Sequence, residues 1–359
     1  MRYLVWLFRE RGGMMVKNKF NTPQLIMAAY LIVLFLCLIY LGIDCAAILN
    51  ESLVKMVMNG VFVLALIPMI NTGVGMNFGL PIGISAGLIG MLISIQFRLT
   101  GFLGFIMAIA VGSIAAIIFG YLYALLLNKL KGNEEIIGMF AGFAFIPIMN
   151  MFYSIAPFTN RQMLYPIGGN GLRPKINLEN YFKDILDNFM VINIGKISIP
   201  LGMLVFYSII CIAILLLFKS KLGVAMKAIA ENEGFAKLSG ININKTRTIS
   251  VIVSMIIAAM GICVYSQSYG FVQLYDSPLT MAFPAVSAIL IGGATRKRAT
   301  VLNAIIGTYL FQTTFLISVP VANELLIPQM SEITRMIITN GILLYAFLYE
   351  GRSKKNEIF

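Results

Sequence analysis

Histidine is absent from this 359-residue chain, and charged residues make up only 12% of it. Without histidine, the sequence excludes His-ligated zinc and haem sites as well as Ser-His-Asp catalytic triads. A soluble domain carries about 25% charged and about 45–50% apolar residues. This chain is 59% apolar and has a mean hydropathy of +0.88. The composition therefore predicts a protein embedded in a lipid bilayer and excludes a water-soluble enzyme.

Cysteine is also scarce. The chain has four cysteines, Cys37, Cys45, Cys211 and Cys263, and no two of them form a CxxC pair. Because they lie mostly in apolar runs, we interpret them as small buried hydrophobic residues rather than disulfide partners or metal ligands. No cofactor is expected in this chain.

Long apolar runs make up most of the sequence. A bilayer core of about 30 Å requires roughly 20 apolar residues per helix. Ten runs are candidates, of which the third and eighth are short and interrupted by Gly and Pro: 24–42, 53–71, 79–95, 102–127, 138–156, 198–218, 248–268, 280–294, 300–320 and 331–349. The predicted fold class is all-α, a polytopic membrane protein of about ten transmembrane helices with two discontinuous segments and pseudo-repeated halves.

Basic residues are distributed unevenly between the two sides that these spans define. With the N-terminus inside, the inner segments hold 19 Lys and Arg residues and the outer loops hold six. The inner segments are 1–23, 128–137, 219–247, 295–299 and 350–359. Because cytoplasmic loops of membrane proteins accumulate Lys and Arg, both termini are predicted to be cytoplasmic in a bacterial inner membrane. The net charge of +12 is thus attributed to topology and not to nucleic-acid binding.

The chain divides into a basic N-terminal segment (1–23), a transmembrane domain (24–349) and a cytoplasmic tail (350–359). Within the domain, 157–197 is the predicted extracytoplasmic loop and 219–247 the predicted cytoplasmic loop. Apolar residues of the outer loop recur at helical spacing and predict a short amphipathic helix lying on the membrane or under a partner. They are Tyr181, Phe182, Ile185, Leu186 and Phe189.

Two segments combine apolar character with helix breakers. Residues 71–90 place glycines four apart, at Gly75, Gly79, Gly83 and Gly87, which predicts a stripe where another backbone can approach closely. Pro81 and nearby polar residues favour a discontinuous helix, because unwound backbone at membrane depth is tolerated only inside protein or along a wet cavity. Residues 275–294 repeat the pattern with two prolines and a Gly-Gly pair. Interrupted segments in two halves are typical of transporters built from internal repeats.

Polar and aromatic side chains of these segments are the candidates for a translocation pathway, since hydroxyl-rich solutes need hydrogen-bonding groups and an aromatic face. The first segment supplies Asn71, Thr72, Asn77 and Phe78, and the second supplies Tyr275, Asp276 and Thr280. The alternative for each is that it satisfies backbone groups freed where a helix breaks.

The sequence contains no group that would energise transport. No acidic residue lies in the middle of a predicted span, which argues against a proton-coupled carrier and against an aspartyl intramembrane protease. GININKT at 240–246 lacks the second glycine of a phosphate-binding loop. ATP hydrolysis is therefore expected only on a partner, and coupling to Na⁺ through backbone carbonyls is left open.

The loop 219–247 is too polar to span the membrane. Its pattern predicts one helix from Val224 to Ser239, ended by Gly240 as a C-terminal cap. The loop contains six basic residues and only two acidic residues, Glu231 and Glu233. Such a helix either lies on anionic lipid or docks a peripheral protein.

The string KAIAENEGFAKLSGININKTR within this loop resembles the coupling loop of permease subunits of bacterial ABC importers. The similar branch handles ribose and other simple sugars, nucleosides and, more distantly, branched-chain amino acids. The matching positions are Ala228, Ile229, Ala230, Glu231, Asn232, Ala236, Gly240, Ile241 and Lys245, with Ala230 where glycine is common. AVSAILIGGAT at 285–295 looks like a second family signature, whereas TGVGMNFGLPIG at 72–83 matches the sugar pattern only loosely, because Asn77 and Phe78 depart from it.

The resemblance implies an ATP-driven, binding-protein-dependent importer for a simple sugar or nucleoside. Its partners would be a cytoplasmic ATP-binding subunit, an extracytoplasmic solute-binding protein and a second permease subunit, identical or paralogous, within membrane lipid. The coupling helix would insert the apolar side chains of Met226, Ile229 and Phe235 into the ATPase, with Glu231 and Asn232 as polar contacts and Gly240 as the cap. The outer loop 157–197 would receive the binding protein.

Two other classes stay open at this point. One is an ion-coupled secondary transporter of a small polar solute, with the same interrupted helices and no ATPase. The other is a membrane scaffold or assembly factor without transport activity. Co-purification of an ATPase subunit and sensitivity of uptake to vanadate discriminate the importer from both.

Overall fold

A computed structural model describes residues 22–130, 132, 134–164, 171–195 and 197–325, together with Ile333, Gly341 and Leu344. Within these ranges the chain is mostly helical, which confirms the predicted all-α class. The helices are α1 (Thr22–Tyr40), α2 (Cys45–Ile70), α3 (Leu80–Gln96), α4 (Gly101–Lys129), α5 (Glu134–Ile155), α6 (Leu201–Lys219), α7 (Lys221–Glu231), α8 (Glu233–Leu238), α9 (Ile243–Tyr269), α10 (Ser277–Ile291) and α11 (Val301–Leu325).

Four short strands form two antiparallel pairs. They are β1 (Lys175–Asn177), β2 (Val191–Ile194), β3 (Ile197–Pro200) and β4 (Phe271–Gln273). β1 pairs with β4, and β2 pairs with β3 in a hairpin. All four lie in the connections between membrane helices, so they do not change the helical class.

Seven of the described helices are long and apolar enough to cross a bilayer, namely α1, α2, α4, α5, α6, α9 and α11. α3 and α10 are shorter apolar helices, and they coincide with the two spans predicted to be short and interrupted. Nine of the ten predicted spans thus have a helix at their position. The tenth, 331–349, lies almost entirely outside the described residues, as do most of 1–23 and all of 350–359.

The centre of the bundle is formed by α2, α3 and α9. Nearly every residue of α3 is buried, and 78% of the most apolar window of α2 is buried against 28% for α4. Helices can pack this closely where glycine removes the side chain. A Cβ at Gly87 of α3 would lie 2.5 Å from the carbonyl oxygen of Ala259 on α9, and one at Gly83 would lie 2.9 Å from that of Met255.

The predicted glycine stripe is only half correct. α3 begins at Leu80, so Gly75 and Gly79 precede the helix and do not share a face with Gly83 and Gly87. Gly75 has a φ of +92°, a left-handed conformation that glycine adopts without strain. The two preceding glycines therefore shape a turn, and the two helical ones make the contact with α9.

Contacts between loops define two ends of the bundle. The proximal end gathers 71–79, 134–135, 219–243 and 292–300. The distal end gathers 97–101, 156–164, 171–195, 197–200 and 270–277, for example through the bond from Gly101 N–H to Tyr181 O at 2.7 Å. Each of α1 to α6 and α9 to α11 runs from one end to the other. The predicted inner segments within the described residues all lie at the proximal end.

The predicted amphipathic helix of the outer loop is wrong. Residues 180–187 form a series of turns, and Phe182 and Leu186 are buried in the distal core. The ring of Phe182 lies 6.4 Å from that of Phe105 on α4, and the side-chain amide of Asn160 donates to the Tyr181 hydroxyl at 2.9 Å. Phe182 and Leu186 therefore pack into this chain, while Phe189 is 54% exposed.

Candidate functional site

The loop between α6 and α9 folds as two helices where the sequence predicts one. Asn232 separates α7 from α8 with extended backbone, φ −154° and ψ 105°. Its side-chain oxygen accepts the N–H of Phe235 at 3.0 Å and so caps the start of α8. The predicted end is confirmed, since Gly240 follows α8 with a φ of +79°. The prediction of a single helix over Val224–Ser239 is wrong, because the Asn232 side chain caps a new helix and asparagine is disfavoured inside helices.

The two halves of this loop present different surfaces. Met226 and Ile229 of α7 are buried inside the chain, and a Cβ at Gly73 would lie 3.2 Å from the Cα of Ala230. The prediction that Met226 and Ile229 enter a partner is therefore wrong, because both side chains are buried within this chain, where Ile229 packs with Ala236 of α8 and Ile243 of α9.

Other apolar side chains of the loop are exposed to solvent. Phe235 of α8 is 64% exposed and Leu238 is 89% exposed, while Val224 of α7 is 60% exposed. Glu231 and Asn232 are also exposed at the junction of the two helices. We call Phe235 and Leu238 the α8 tip.

Five charged residues form ion pairs at the base of the bundle, and three of them join the loop to it. Arg247 of α9, whose side chain is only 7% exposed, contacts Glu134 of α5 at 3.2 Å and Glu233 of α8 at 3.1 Å. Glu135, next in α5, contacts Arg296 at 3.4 Å. We call Glu134, Glu135, Glu233 and Arg247, together with Arg296, the basal ion cluster.

The polar side chains of the first interrupted segment are occupied within the chain. The Asn71 amide donates to Ala299 O at 2.7 Å and accepts from Ala299 N–H at 2.9 Å. Thr72 donates to the carbonyl oxygen of Pro68. Asn77 donates to the Ser254 hydroxyl at 2.7 Å. All three are buried, so for Asn71 and Thr72 the structure favours satisfaction of broken backbone over exposure to a pathway.

Phe78 differs from its neighbours because it is only partly buried. Its ring lies 6.2 Å from that of Phe283 on α10, and Phe283 stacks on Phe143 of α5 at 5.5 Å. Phe283 is 38% exposed. The three rings form an accessible aromatic surface that joins both interrupted segments to α5.

The second interrupted segment presents a polar stripe beside these rings. Asp276 and Thr280 are exposed, and with Phe283 they recur at helical spacing along α10. Tyr275 points elsewhere: its hydroxyl donates to Leu172 O at 3.2 Å and its ring lies 6.1 Å from that of Tyr153. Asp276 and Thr280 thus lie on the same face of the α10 segment as Phe283, and Phe78 reaches that face through Phe283, while Tyr275 lies at the distal core.

A cavity of about 610 Å³ opens at the distal end between α2, the β2–β3 hairpin and the end of α9. Asp187 on its wall accepts hydrogen bonds from Gln267 at 2.9 Å and from Ser268 at 2.7 Å. Burial raises the pKa of the Asp187 carboxyl, and the two hydrogen bonds oppose that shift. Glu51 and Lys55 also line the cavity, together with apolar side chains such as Val54 and Met58.

Among the residues that the structure describes, no group of three Cys, Asp or Glu side chains is placed to hold a metal ion. Cys211 and Cys263 are buried as predicted, while Cys37 and Cys45 are half-buried, and all four thiols are free.

These features define a polytopic helical membrane protein with two interrupted segments and a polar loop that exposes apolar side chains. A family model described as "Branched-chain amino acid transport system / permease component" matches residues 48–347. The chain belongs to this family of ABC transporter permeases and is accordingly a multi-pass membrane protein that works with an ATP-binding subunit.

One similar solved structure shows an ABC transporter in an inward-facing conformation, assigned provisionally to the metal-chelate type. That chain is 14% identical, with a TM-score of 0.44, over 90% of this chain and 98% of its own length. No curated protein matches the sequence.

Sequence reasoning missed the basal ion cluster and the rings of Phe143 and Phe283. The pair Glu134-Glu135 at the start of a predicted span was a usable signal, because carboxylates are favoured at helix N-termini. Arg247 gave no such signal, since a basic residue in a cytoplasmic loop is expected to be solvated.

Proposed function

We propose that this permease is the membrane subunit of an ATP-driven, binding-protein-dependent importer and that it forms half of the pathway for a simple sugar or nucleoside. The observation that supports the proposal most strongly is the α8 tip. Phe235 and Leu238 are highly exposed on a short polar loop at the basic end of the bundle. Exposed apolar side chains on a charged helix suit a hydrophobic groove on a partner.

The proximal end would face the cytoplasm with both chain termini, in a bacterial inner membrane. The ATP-binding subunit would cover the α8 tip, with Glu231, Asn232 and Val224 around it and Gly240 ending the docking element. Met226 and Ile229 would stay buried within the chain, and the backbone of Ala230, which lies against Gly73, would pass a displacement of the loop to the first interrupted segment. The distal loop 157–197 and its cavity would receive the solute-binding protein.

The pathway would run along the exposed face of α10 and α5, completed by a second permease subunit. Phe78, Phe143 and Phe283 offer aromatic faces, and Asp276 and Thr280 offer hydrogen-bonding groups, which together suit a ring with several hydroxyls. Asn71, Thr72, Asn77 and Tyr275 would fix the shape of the interrupted segments beside the pathway.

The docking role is tested with the double variant Phe235→Ala, Leu238→Ala in cells that express the ATPase subunit. We expect co-purification of the ATPase to fall at least about tenfold, a loss of roughly 1.4 kcal/mol or more of binding free energy. Phe189→Ala is the matched control, because Phe189 is a 54% exposed phenylalanine at the distal end. Unchanged ATPase recovery with the double variant would remove the basis of the proposal.

Transport itself is tested by uptake of labelled ribose, other sugars and nucleosides, with leucine as the competing class. Inhibition by vanadate, which traps ATPases, is expected. Uptake abolished by an ionophore and insensitive to vanadate would instead favour the ion-coupled carrier, and uptake of leucine alone would overturn the sugar or nucleoside assignment.

A further inference from the structure

Arg247 is a buried guanidinium shared by two carboxylates from different parts of the chain. Its Nη1 lies 3.2 Å from Glu134 of α5, and its Nη2 lies 3.1 Å from Glu233 of α8. Glu233 is the first residue of α8 and is two residues from Phe235. One side chain therefore ties the exposed docking helix to the bases of α5 and α9.

Glu135 extends the connection to the first interrupted segment and to the loop that follows the second. Its Oε1 accepts the Met76 N–H at 3.3 Å, and its Oε2 lies 3.4 Å from Arg296, in the loop that follows α10. The carboxyl side chain lies so close to the turn that a Cβ at Gly75 would be 2.4 Å from its Oε1. Adjacent residues of α5 thus face the docking helix on one side and both interrupted segments on the other.

We infer that the basal ion cluster is the connection through which a displacement of α8 reaches the two interrupted segments, with Arg247, Glu134 and Glu135 as positioning residues. The inference rests on the proposed function, since it assumes that a partner moves α8. A buried charge deprived of its partner is strongly disfavoured. Arg247 therefore holds Glu233 and Glu134 together when α8 moves, and α5 is displaced with them.

The reciprocal bonds between Asn71 and Ala299 make the response of the two segments concerted. Glu135 contacts the first segment at Met76 and, at Arg296, the loop that follows the second segment, while Asn71 fastens the first segment to the same loop at Ala299. A shift of the first turn of α5 consequently displaces both segments as one unit and not one at a time.

The test is a double-mutant cycle on two residues that do not touch, Glu233→Gln and Glu135→Gln, in the complete transporter reconstituted with its ATPase and binding protein. Each single variant is expected to lower solute uptake at least about threefold, raise the ATP hydrolysed per solute, and leave co-purification of the ATPase unchanged. If both act through Arg247 and Glu134, the double variant is no worse than the more severe single variant. Glu324→Gln is the matched control, an exposed carboxylate at the distal end.

Two results would overturn the inference while wild-type uptake remains ATP-driven. In one, each single variant transports with the wild-type ratio of ATP hydrolysed to solute transported. In the other, the uptake of the double variant falls by the product of the two single-variant losses. Absence of ATP-driven uptake by the wild-type complex would instead contradict the proposed function. Arg247→Gln is expected to impair folding, because it removes the charged partner of the largely buried Glu134 carboxylate. The cycle therefore uses Glu→Gln variants, since Gln keeps the size of Glu.

Discussion

Single buried polar residues fix the interrupted segments in place. Asn71 uses both ends of its amide on the backbone of Ala299, which is 228 positions away in the sequence. Replacing one partner of such a pair leaves a buried donor or acceptor unsatisfied, at about 1–3 kcal/mol per group. The amide therefore contributes to the shape of the segments whether or not it ever contacts a solute.

Asp187 at the distal cavity predicts a pH dependence of stability. Burial raises the pKa of its carboxyl above the ordinary value of 3.8, so the native state binds this proton more tightly than the unfolded state. The free energy of unfolding consequently falls as pH rises through the interval between the two pKa values. Thermal unfolding in detergent across that interval should show this slope, and Asp187→Asn should flatten it.

Ser268→Ala gives the complementary variant. The Ser268 hydroxyl donates to Asp187 Oδ1 at 2.7 Å and favours the charged carboxylate. Its loss is expected to raise the pKa further and to extend the slope to higher pH. A slope that persists in Asp187→Asn would assign the titration to another group.

Roles of single residues were the part that sequence reasoning recovered least. Asn71, Thr72 and Asn77 were recognised as unusual in an apolar segment, but two of their partners, Ala299 and Ser254, are distant in the sequence. A polar residue in a span has the same sequence signature whether it faces a pathway or a backbone carbonyl. Only the fold distinguishes the two.

At the scale of elements, the length of the apolar runs predicted the positions of the membrane helices correctly. The sequence predicted less well where a helical pattern is interrupted by other structure. Long apolar runs predicted nine helices because the bilayer sets their length. The break at Asn232 was missed, since the loop 219–247 has a helical period on both sides of that residue. The turns at 180–187 were mistaken for a helix because residues packed into a core can also recur at that spacing.

The contact between α3 and α9 predicts a steric limit at Gly87. A Cβ there would lie 2.3 Å from Ile262 Cγ2 and 2.5 Å from the Ala259 carbonyl oxygen, which is backbone and cannot rotate away. We expect Gly87→Ala to lower the free energy of unfolding by about 1–3 kcal/mol and Gly87→Leu by more. Denaturant unfolding in detergent micelles measures the change.

Ala110→Leu provides the matched control for added bulk on a neighbouring helix. Ala110 lies on the exposed side of α4, so the larger side chain meets no packed backbone and should change stability by no more than about 0.5 kcal/mol. Equal effects at positions 87 and 110 would show that the α3–α9 contact does not set the limit.

At the scale of the whole molecule, charge and architecture describe the same asymmetry. The segments that the Lys and Arg counts assign to the inner side meet at the proximal end wherever they are described. The charge count is independent of the contacts that define this end. α8, the basal ion cluster, the first interrupted segment and the C-terminal end of the second meet at that end. An ATPase can act on all of them together only if the proximal end is cytoplasmic.

This orientation gives the last prediction, which uses Leu238→Cys and Phe189→Cys in a background where the four native cysteines are replaced by serine. The two positions are 89% and 54% exposed and lie at opposite ends. Because basic segments are retained in the cytoplasm during insertion, a membrane-impermeant maleimide added to intact cells should label position 189 and not 238. Permeabilised cells should label both. Labelling of position 238 in intact cells would place the α8 tip outside, where no ATP-binding subunit could reach it, and would contradict the importer and the coupling route together.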